Sequence, residues 1–197
     1  MLKVALTGGI ATGKSHVLEQ FRRRGVPCLD ADSITHGVTA SGTEATLAIA
    51  TRFGAEVLAE DGSVDRAKLG SVVFADPAAR HDLEALVHPA VYRAITAGLR
   101  AFELLDASPL AVVDVPLLYE SGHALDFDRV IVTICPPEMQ LARLLERGLT
   151  AREAQQRIAA QWPTEEKARR ATFVIRTDGT IEATDRQVER VLESLTR

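Results

Sequence analysis

Leu2-Lys3-Val4-Ala5-Leu6-Thr7 runs directly into Gly8-Gly9-Ile10-Ala11-Thr12-Gly13-Lys14-Ser15, and that junction decides the fold. The first six residues are short and apolar and stop at a glycine pair, the profile of a strand buried in a parallel sheet. From Lys14 onward Val17, Leu18 and Phe21 recur at helical spacing until Gly25. The eight residues between fit G-x-x-x-x-G-K-[ST], and they lie after a strand and before a helix, where that pattern has a mechanism. Glycines let the backbone curl so that successive N–H groups face phosphate oxygens. The helix N-terminus adds the positive end of its dipole. In such a loop Lys14 reaches the outer phosphates and the Ser15 hydroxyl ligates magnesium. Residues Gly8, Gly9, Ile10, Ala11, Thr12, Gly13, Lys14 and Ser15, with His16 next in line, form the candidate nucleotide-binding set. Binding of a nucleoside triphosphate follows from this loop.

Working outward, Val26-Pro27-Cys28-Leu29 reads as a second brief strand, ending in Asp30-Ala31-Asp32. Leu110 to Asp114, Val130 to Ile134 and Phe173 to Ile175 are further short apolar runs, each followed by a helix-like stretch. The pattern predicts an α/β fold of three αβα layers, with a mainly parallel five-stranded sheet and helices on both faces. Between residues 41 and 105 strand signals lapse. Asp76 precedes a first-turn Pro77, a helix is expected over Ala78 to Val87, and a second after His88-Pro89 to about Leu105. Glu60-Asp61-Gly62-Ser63 reads as a turn. This region is a helical lobe inserted between two strands. Thr150-Ala151-Arg152-Glu153 has capping-box spacing and starts a helix. The last helix begins near Thr180, with Ile181, Val188, Val191, Leu192 and Leu195 on the side that packs against the sheet.

Composition narrows the class. Across 197 residues, 46% are hydrophobic and 25% charged, ordinary globular usage that excludes a disordered chain, a fibrous repeat or a disulfide-rich miniprotein. A formal net charge of −4 argues against broad binding to nucleic acid or anionic membrane. No apolar stretch approaches the roughly 20 residues that span a bilayer, and Leu2–Leu6 is too short for a signal-peptide core. Two cysteines, Cys28 and Cys135, make no disulfide framework, so a reduced, cytoplasmic setting is expected.

Acidic and basic groups supply the chemistry. Asp30 and Asp32 close the second strand, and ligands gather at the carboxyl ends of parallel strands. One of the two orients an acceptor hydroxyl and takes its proton, while the other has an equally good role capping the next helix. Asp114 ends an apolar strand, the place of a magnesium-associated acid or of a turn aspartate. Arg143 and Arg147, four apart, share a helix face after Pro136-Pro137, and arginines over a transferring phosphoryl stabilise its charge. Arg152, Arg169 and Arg170 read as a solvated face, and Arg22-Arg23-Arg24 suits a helix C-terminus. The histidines His16, His36, His81 and His123 show no metal-ligand spacing.

These residues together resemble the dephospho-coenzyme A kinase family of P-loop kinases. The likeness runs through Ala5 to Ile10 with Gly13-Lys14-Ser15, then Leu29-Asp30-Ala31-Asp32, His88-Pro89 and Asp114-Val115-Pro116-Leu117-Leu118-Tyr119-Glu120. It continues through Gln140-Leu141-Ala142-Arg143, Arg157, Ala160-Gln161 and Glu166-Lys167, in order from residue 2 to about 179. The resemblance implies ATP as donor, Mg2+ held by Ser15 and Asp114, and the ribose 3′-hydroxyl of dephospho-CoA as acceptor. It makes Asp32 the acceptor base beside the catalytic Lys14 and Arg143. His88, Pro89, Leu117, Glu120 and Gln161 would line the acceptor pocket. It also implies a single domain: a core of 1–40, 108–136 and 171–197, a CoA-binding lobe at about 41–107, and a lid at about 137–170. The partners would be the two small molecules, with no nucleic acid or membrane, in a monomer or small homo-oligomer.

Two departures stand out. Ala11-Thr12 replaces the more usual Gly-Ser, and alanine favours negative φ, so a right-handed or extended backbone is expected at Ala11. Ile175-Arg176-Thr177-Asp178-Gly179 stands where the family often has Ile-Asp-Asn before a glycine. An adenine contact through that asparagine side chain is therefore not carried over, while backbone contacts stay open. Two other readings remain: a kinase of another small acceptor, such as a nucleoside monophosphate or shikimate, and a switch-type nucleotide module. The latter lacks an Asn-Lys-x-Asp stretch and an Asp-x-x-Gly after the third strand.

Overall fold

The computed structural model describes residues 1–106 and 108–197, without the side chains of Phe74 and Ala75. Five strands, β1 (Leu2–Gly8), β2 (Cys28–Asp30), β3 (Leu110–Asp114), β4 (Arg129–Ile134) and β5 (Phe173–Arg176), form one sheet in the order β2-β3-β1-β4-β5. Every pairing is parallel. The central β1 places Leu6 opposite Asp114 of β3 and Gly8 opposite Thr133 of β4. From β1 the chain heads toward β2, whereas from β3 it heads the other way to β4. Neighbouring strands whose exits diverge open a crevice at their carboxyl ends, and the glycine loop leaves β1 there.

Alternation along the strands builds the core. Val4 and Leu6, Leu110 and Val112, Ile131 and Ile175 bury one sheet face against Val17, Leu18 and Phe21 of α1 (Lys14–Arg23) and Val188 and Val191 of α9 (Ile181–Leu195). Each such side chain contributes about 1.5–3 kcal/mol. Capping sets the ends. Thr180 accepts from the Ala183 amide to start α9, and Thr150 with Glu153 closes a reciprocal capping box at α7 (Ala151–Ala159). β2 begins at Cys28 instead of Val26 because the Val26 amide is spent on Phe21 O (3.1 Å) in closing α1. Before α7 comes α6 (Pro137–Glu146), and after it α8 (Thr164–Arg169), which packs on β4.

Residues Ala31–Gly98 form a second compact unit, where the sequence placed a lobe at about 41–107; Ala107 lies outside the described residues. It contains α2 (Ala31–Val38), α3 (Glu44–Phe53), α4 (Arg66–Ala75) and most of α5 (Pro77–Leu104). Ile49, Val57 and Leu69 form its core, flanked by Phe53, Leu83 and Leu86. Thr43 caps α3 and Asp65 caps α4, and Asp76 Oδ1 accepts from the Ala78 amide (2.8 Å). The turn at Glu60–Ser63 closes between Leu58 and Val64.

The two helices expected on either side of His88-Pro89 are instead one, the 28-residue α5 with Pro89 inside it. A proline deletes a single N–H and strains the carbonyl four residues earlier. Helix formers on both sides, among them Ala85, Leu86, Ala90 and Arg93, carry the helix through. The Pro89 ring is exposed, so packing returns little of that cost. Pro89→Ala should therefore stabilise the protein by about 1–2 kcal/mol, the regained helix bond less the looser unfolded chain. A higher urea midpoint with an unchanged slope is the expected reading; a lower midpoint would mean that the ring itself contributes stability.

Candidate active site

The loop is shaped by close approach. A Cβ on Gly8 would overlap the hydroxyl and carbonyl of Thr133, and one on Gly9 would lie 2.6 Å from Gln140 Nε2. Gly13, at φ +83°, turns left-handed into the start of α1 and leaves it without a side-chain cap. Ala11 takes φ +59°, which corrects the expectation of a right-handed or extended backbone there. The left-handed bend costs an alanine about 1–2 kcal/mol. Long-range contacts hold it: Ala11 O accepts from Arg143 Nη1 (3.0 Å), and its methyl is buried with Leu144 and Ala154.

The loop carbonyls are bonded from behind. Thr12 Oγ1 donates to Gly9 O (2.7 Å) and lies 2.7 Å from Thr133 Oγ1. Thr177 Oγ1 donates to Thr12 O (2.8 Å). Gln140 Nε2 donates to Ile10 O, and Gln161 Oε1 accepts from Ile10 N, both at 2.7 Å. Arg143 also spans Thr177, with Nη2 2.7 Å from its carbonyl. In front, the amides of Ala11, Gly13, Lys14, Ser15 and His16 donate to no protein acceptor among the described residues. Lys14 likewise has no protein hydrogen bond or ion pair there. The result is a concave row of donors beside one cation, the geometry that binds polyphosphate.

Beneath the loop lies a buried ion pair. The Lys167 side chain is fully buried, with Nζ 2.7 Å from Glu120 Oε1. It also reaches Pro116 O at 3.3 Å and Gly8 O at 3.4 Å. Burial pushes the Lys167 ammonium below its usual range, and the hydrogen bond and charge of Glu120 oppose that shift. Glu120 Oε1 also accepts the Trp162 amide (2.9 Å). Trp162 stacks on Tyr119 with centroids 6.1 Å apart and carries the Arg170 guanidinium 5.0 Å from its ring centre. Arg170 is thus more than part of a solvated face: it also pairs with Glu166 (3.2 Å).

Of the residues singled out in the sequence, one unit gathers the glycine loop, Asp114, Leu117, Glu120, Arg143 and Gln161. Asp114 is buried at the end of β3, in register with Leu6 and with Asp30. Ser15 is exposed in the first turn of α1, and Leu117 is exposed beyond β3. His16 turns to α9, its Nε2 2.7 Å from Asp185 Oδ1. Asp32, in the first turn of α2, and His88 and Pro89, midway along α5, belong to the 31–98 unit. Sequence reading gave no role to Thr133, Thr177 or Lys167. The register of β4 on β1 would have signalled Thr133, since it puts that residue beside Gly8.

A parallel sheet of this order, with a glycine-lysine loop on its central strand, defines the P-loop kinase class. The dephospho-CoA kinase family model matches residues 2–183, and the chain belongs to that family. The dephospho-CoA kinase of Anaeromyxobacter dehalogenans is 47% identical over 199 residues, spanning 99% of this chain and 92% of its own length. A Thermus thermophilus protein of known crystal structure superposes with a TM-score of 0.85 at 34% identity, covering 100% of this chain and 98% of its own. Dephospho-CoA kinase from Campylobacter jejuni gives 0.72 at 28% identity, covering 98% and 96%.

Removing one partner from the buried pair strands a charge. Glu120→Ala should cost about 3–5 kcal/mol in urea unfolding, and adding Lys167→Met should recover at least half. A double variant no more stable than the single one would show that Lys167 acts through its carbonyl bonds rather than through Glu120.

Proposed function

We propose that this protein transfers the γ-phosphoryl group of ATP to the ribose 3′-hydroxyl of dephospho-CoA, giving CoA and ADP. The unsatisfied amides of Ala11 and of Gly13 to His16, beside the unpartnered Lys14, are the observation that carries the reading, together with membership of the family. The amides receive the β- and γ-phosphate oxygens, and Lys14 offsets the charge that develops on the equatorial oxygens during transfer. Leu117 and Glu120 receive the acceptor, and residues 137–170 act as the lid.

The donor set also fits magnesium. Ser15 and Asp114 offer hard oxygen ligands, and no cluster of three His, Cys, Asp or Glu side chains suited to a metal occurs among the described residues. Mg2+ fits such a site because it keeps waters and substrate phosphates and needs only one or two protein oxygens. When bound, it supplies charge neutralisation between the phosphates.

Asp32 takes the proton of the attacking hydroxyl. It stands two residues beyond Asp30, the last residue of β2. Arg143 serves the reaction through the loop, since its guanidinium already holds Ala11 O and both oxygens of Thr177. Gln161, expected in the acceptor pocket, acts on the Ile10 amide in the same way.

Lys14→Ala should lose about 10²-fold or more in kcat, by analogy with single electrostatic donors elsewhere; a rate within threefold of the parent would remove Lys14 from the chemistry. Asp32→Asn should bind ATP as the parent does in calorimetry yet transfer no phosphoryl group. Weakened nucleotide binding would place Asp32 on the donor side instead. Incubating the protein with ATP and an acceptor panel should add one phosphate mass to dephospho-CoA. Phosphorylation of a nucleoside monophosphate alone would overturn the acceptor assignment.

A further inference from the structure

Beside the loop, on the α9 side, lies a cleft of about 250 Å3 lined by Gly13, His16, Arg143, Arg147, Thr177 and Thr184 among others. It adjoins the amides proposed above to receive the phosphates, so a nucleotide bound there has room for its base in this cleft. Its polar side chains are almost all committed to the protein. His16 Nε2 is bonded to Asp185, and Thr184 Oγ1 donates to Thr180 O (3.3 Å). Thr177 Oγ1 donates to Thr12 O and accepts from Arg143 Nη1 (3.3 Å). The Thr177 carbonyl is already taken by Arg143 Nη2 (2.7 Å). Arg147, exposed at the end of α6, has no hydrogen bond or ion pair to protein among the described residues. No carboxylate and no side-chain amide lines the cleft.

Adenine and guanine differ in what they ask of such a wall. Adenine presents an N6 amino donor next to N7, whereas guanine presents O6 and N7, two acceptors. An arginine donates only; it pairs bidentately with O6 and N7 of guanine and reaches adenine at a ring nitrogen alone. The Thr177 hydroxyl is built into the loop. No side chain with a free acceptor is placed to claim the N6 amino group.

We infer, resting on the kinase reading above, that the donor site takes GTP nearly as well as ATP and that Arg147 is the residue that reads the base edge. A pocket that hydrogen-bonds one base with fixed buried partners rejects the analogue by about 10⁴-fold or more, whereas one holding it by shape and a mobile cation does not.

The test compares kcat/KM for ATP and GTP with saturating dephospho-CoA, alongside calorimetric binding of each magnesium nucleotide without acceptor. A preference for ATP within about tenfold is expected in both. A preference beyond about 100-fold in either overturns the inference while leaving the kinase reading intact. If dephospho-CoA proves not to be the acceptor, the binding ratio still decides the inference, so the two failures are separable. Arg147→Gln should raise KM for GTP by about tenfold, with a smaller rise for ATP. Equal losses on the two nucleotides, or none, would take Arg147 out of base reading.

Discussion

The structure depends on keeping one face of a short loop hungry for hydrogen bonds. Buried amides are ordinarily paired, so a row of free donors at Ala11 and at Gly13 to His16 survives only if the loop has no way to collapse onto itself. Its carbonyls are therefore held by other parts of the chain: Gly8 O by Lys167, Gly9 O by Thr12, Ile10 O by Gln140, Ala11 O by Arg143 and Thr12 O by Thr177. Five successive carbonyls are fixed from behind while the amides of Ala11 and of Gly13 to His16 face forward. The arrangement costs a left-handed alanine and a buried lysine, and each is compensated locally.

How much of this was legible in the sequence follows from the range of the interactions. Strands and caps are set within a few residues, and they came out where periodicity and capping chemistry put them: β3 at Leu110–Asp114, the box at Thr150 and Glu153, the cap at Thr180. The glycine loop was legible because its own spacing carries the mechanism. Apart from the local bond of Thr12 to Gly9, the bonds that hold the loop span 130 to 165 residues, and no local pattern announces them. The Ala11 backbone was misread for that reason, since the local rule against positive φ is correct and Arg143 overrides it from 132 residues away. The continuous α5 is the converse case: a local rule about proline was given more weight than the one lost hydrogen bond warrants.

The positions of the lysines bear on how a net acidic chain handles polyanions. Lys14 and Lys167 are close enough for the charge of Lys14 to depress Lys167 further. Two uncompensated cations under one loop would repel each other, and the buried one would tend to lose its proton. Glu120 at 2.7 Å makes the buried site neutral as a pair while leaving Lys167 three donors for carbonyls and carboxylate. The forward field of the loop then comes from Lys14, the amide row and the dipole of α1. Positive charge is concentrated at the loop, so the sign of the surface as a whole has little say in binding an anion there.

The same bonds tie the loop to residues 137–170. Gln140, Arg143, Gln161 and Lys167 come from α6, α8 and the turn after α7, and all four bond the backbone of Gly8 to Ala11. Ile10 and Ala11 return the contact through an apolar cluster with Leu141, Leu144, Leu149, Ala154 and Ile158. A displacement of α6 or α7 would release carbonyls of the loop and uncover those side chains together, so the amide row holds its shape only while that packing holds. Such coupling makes the shape of the amide row and the position of residues 137–170 two expressions of a single set of bonds.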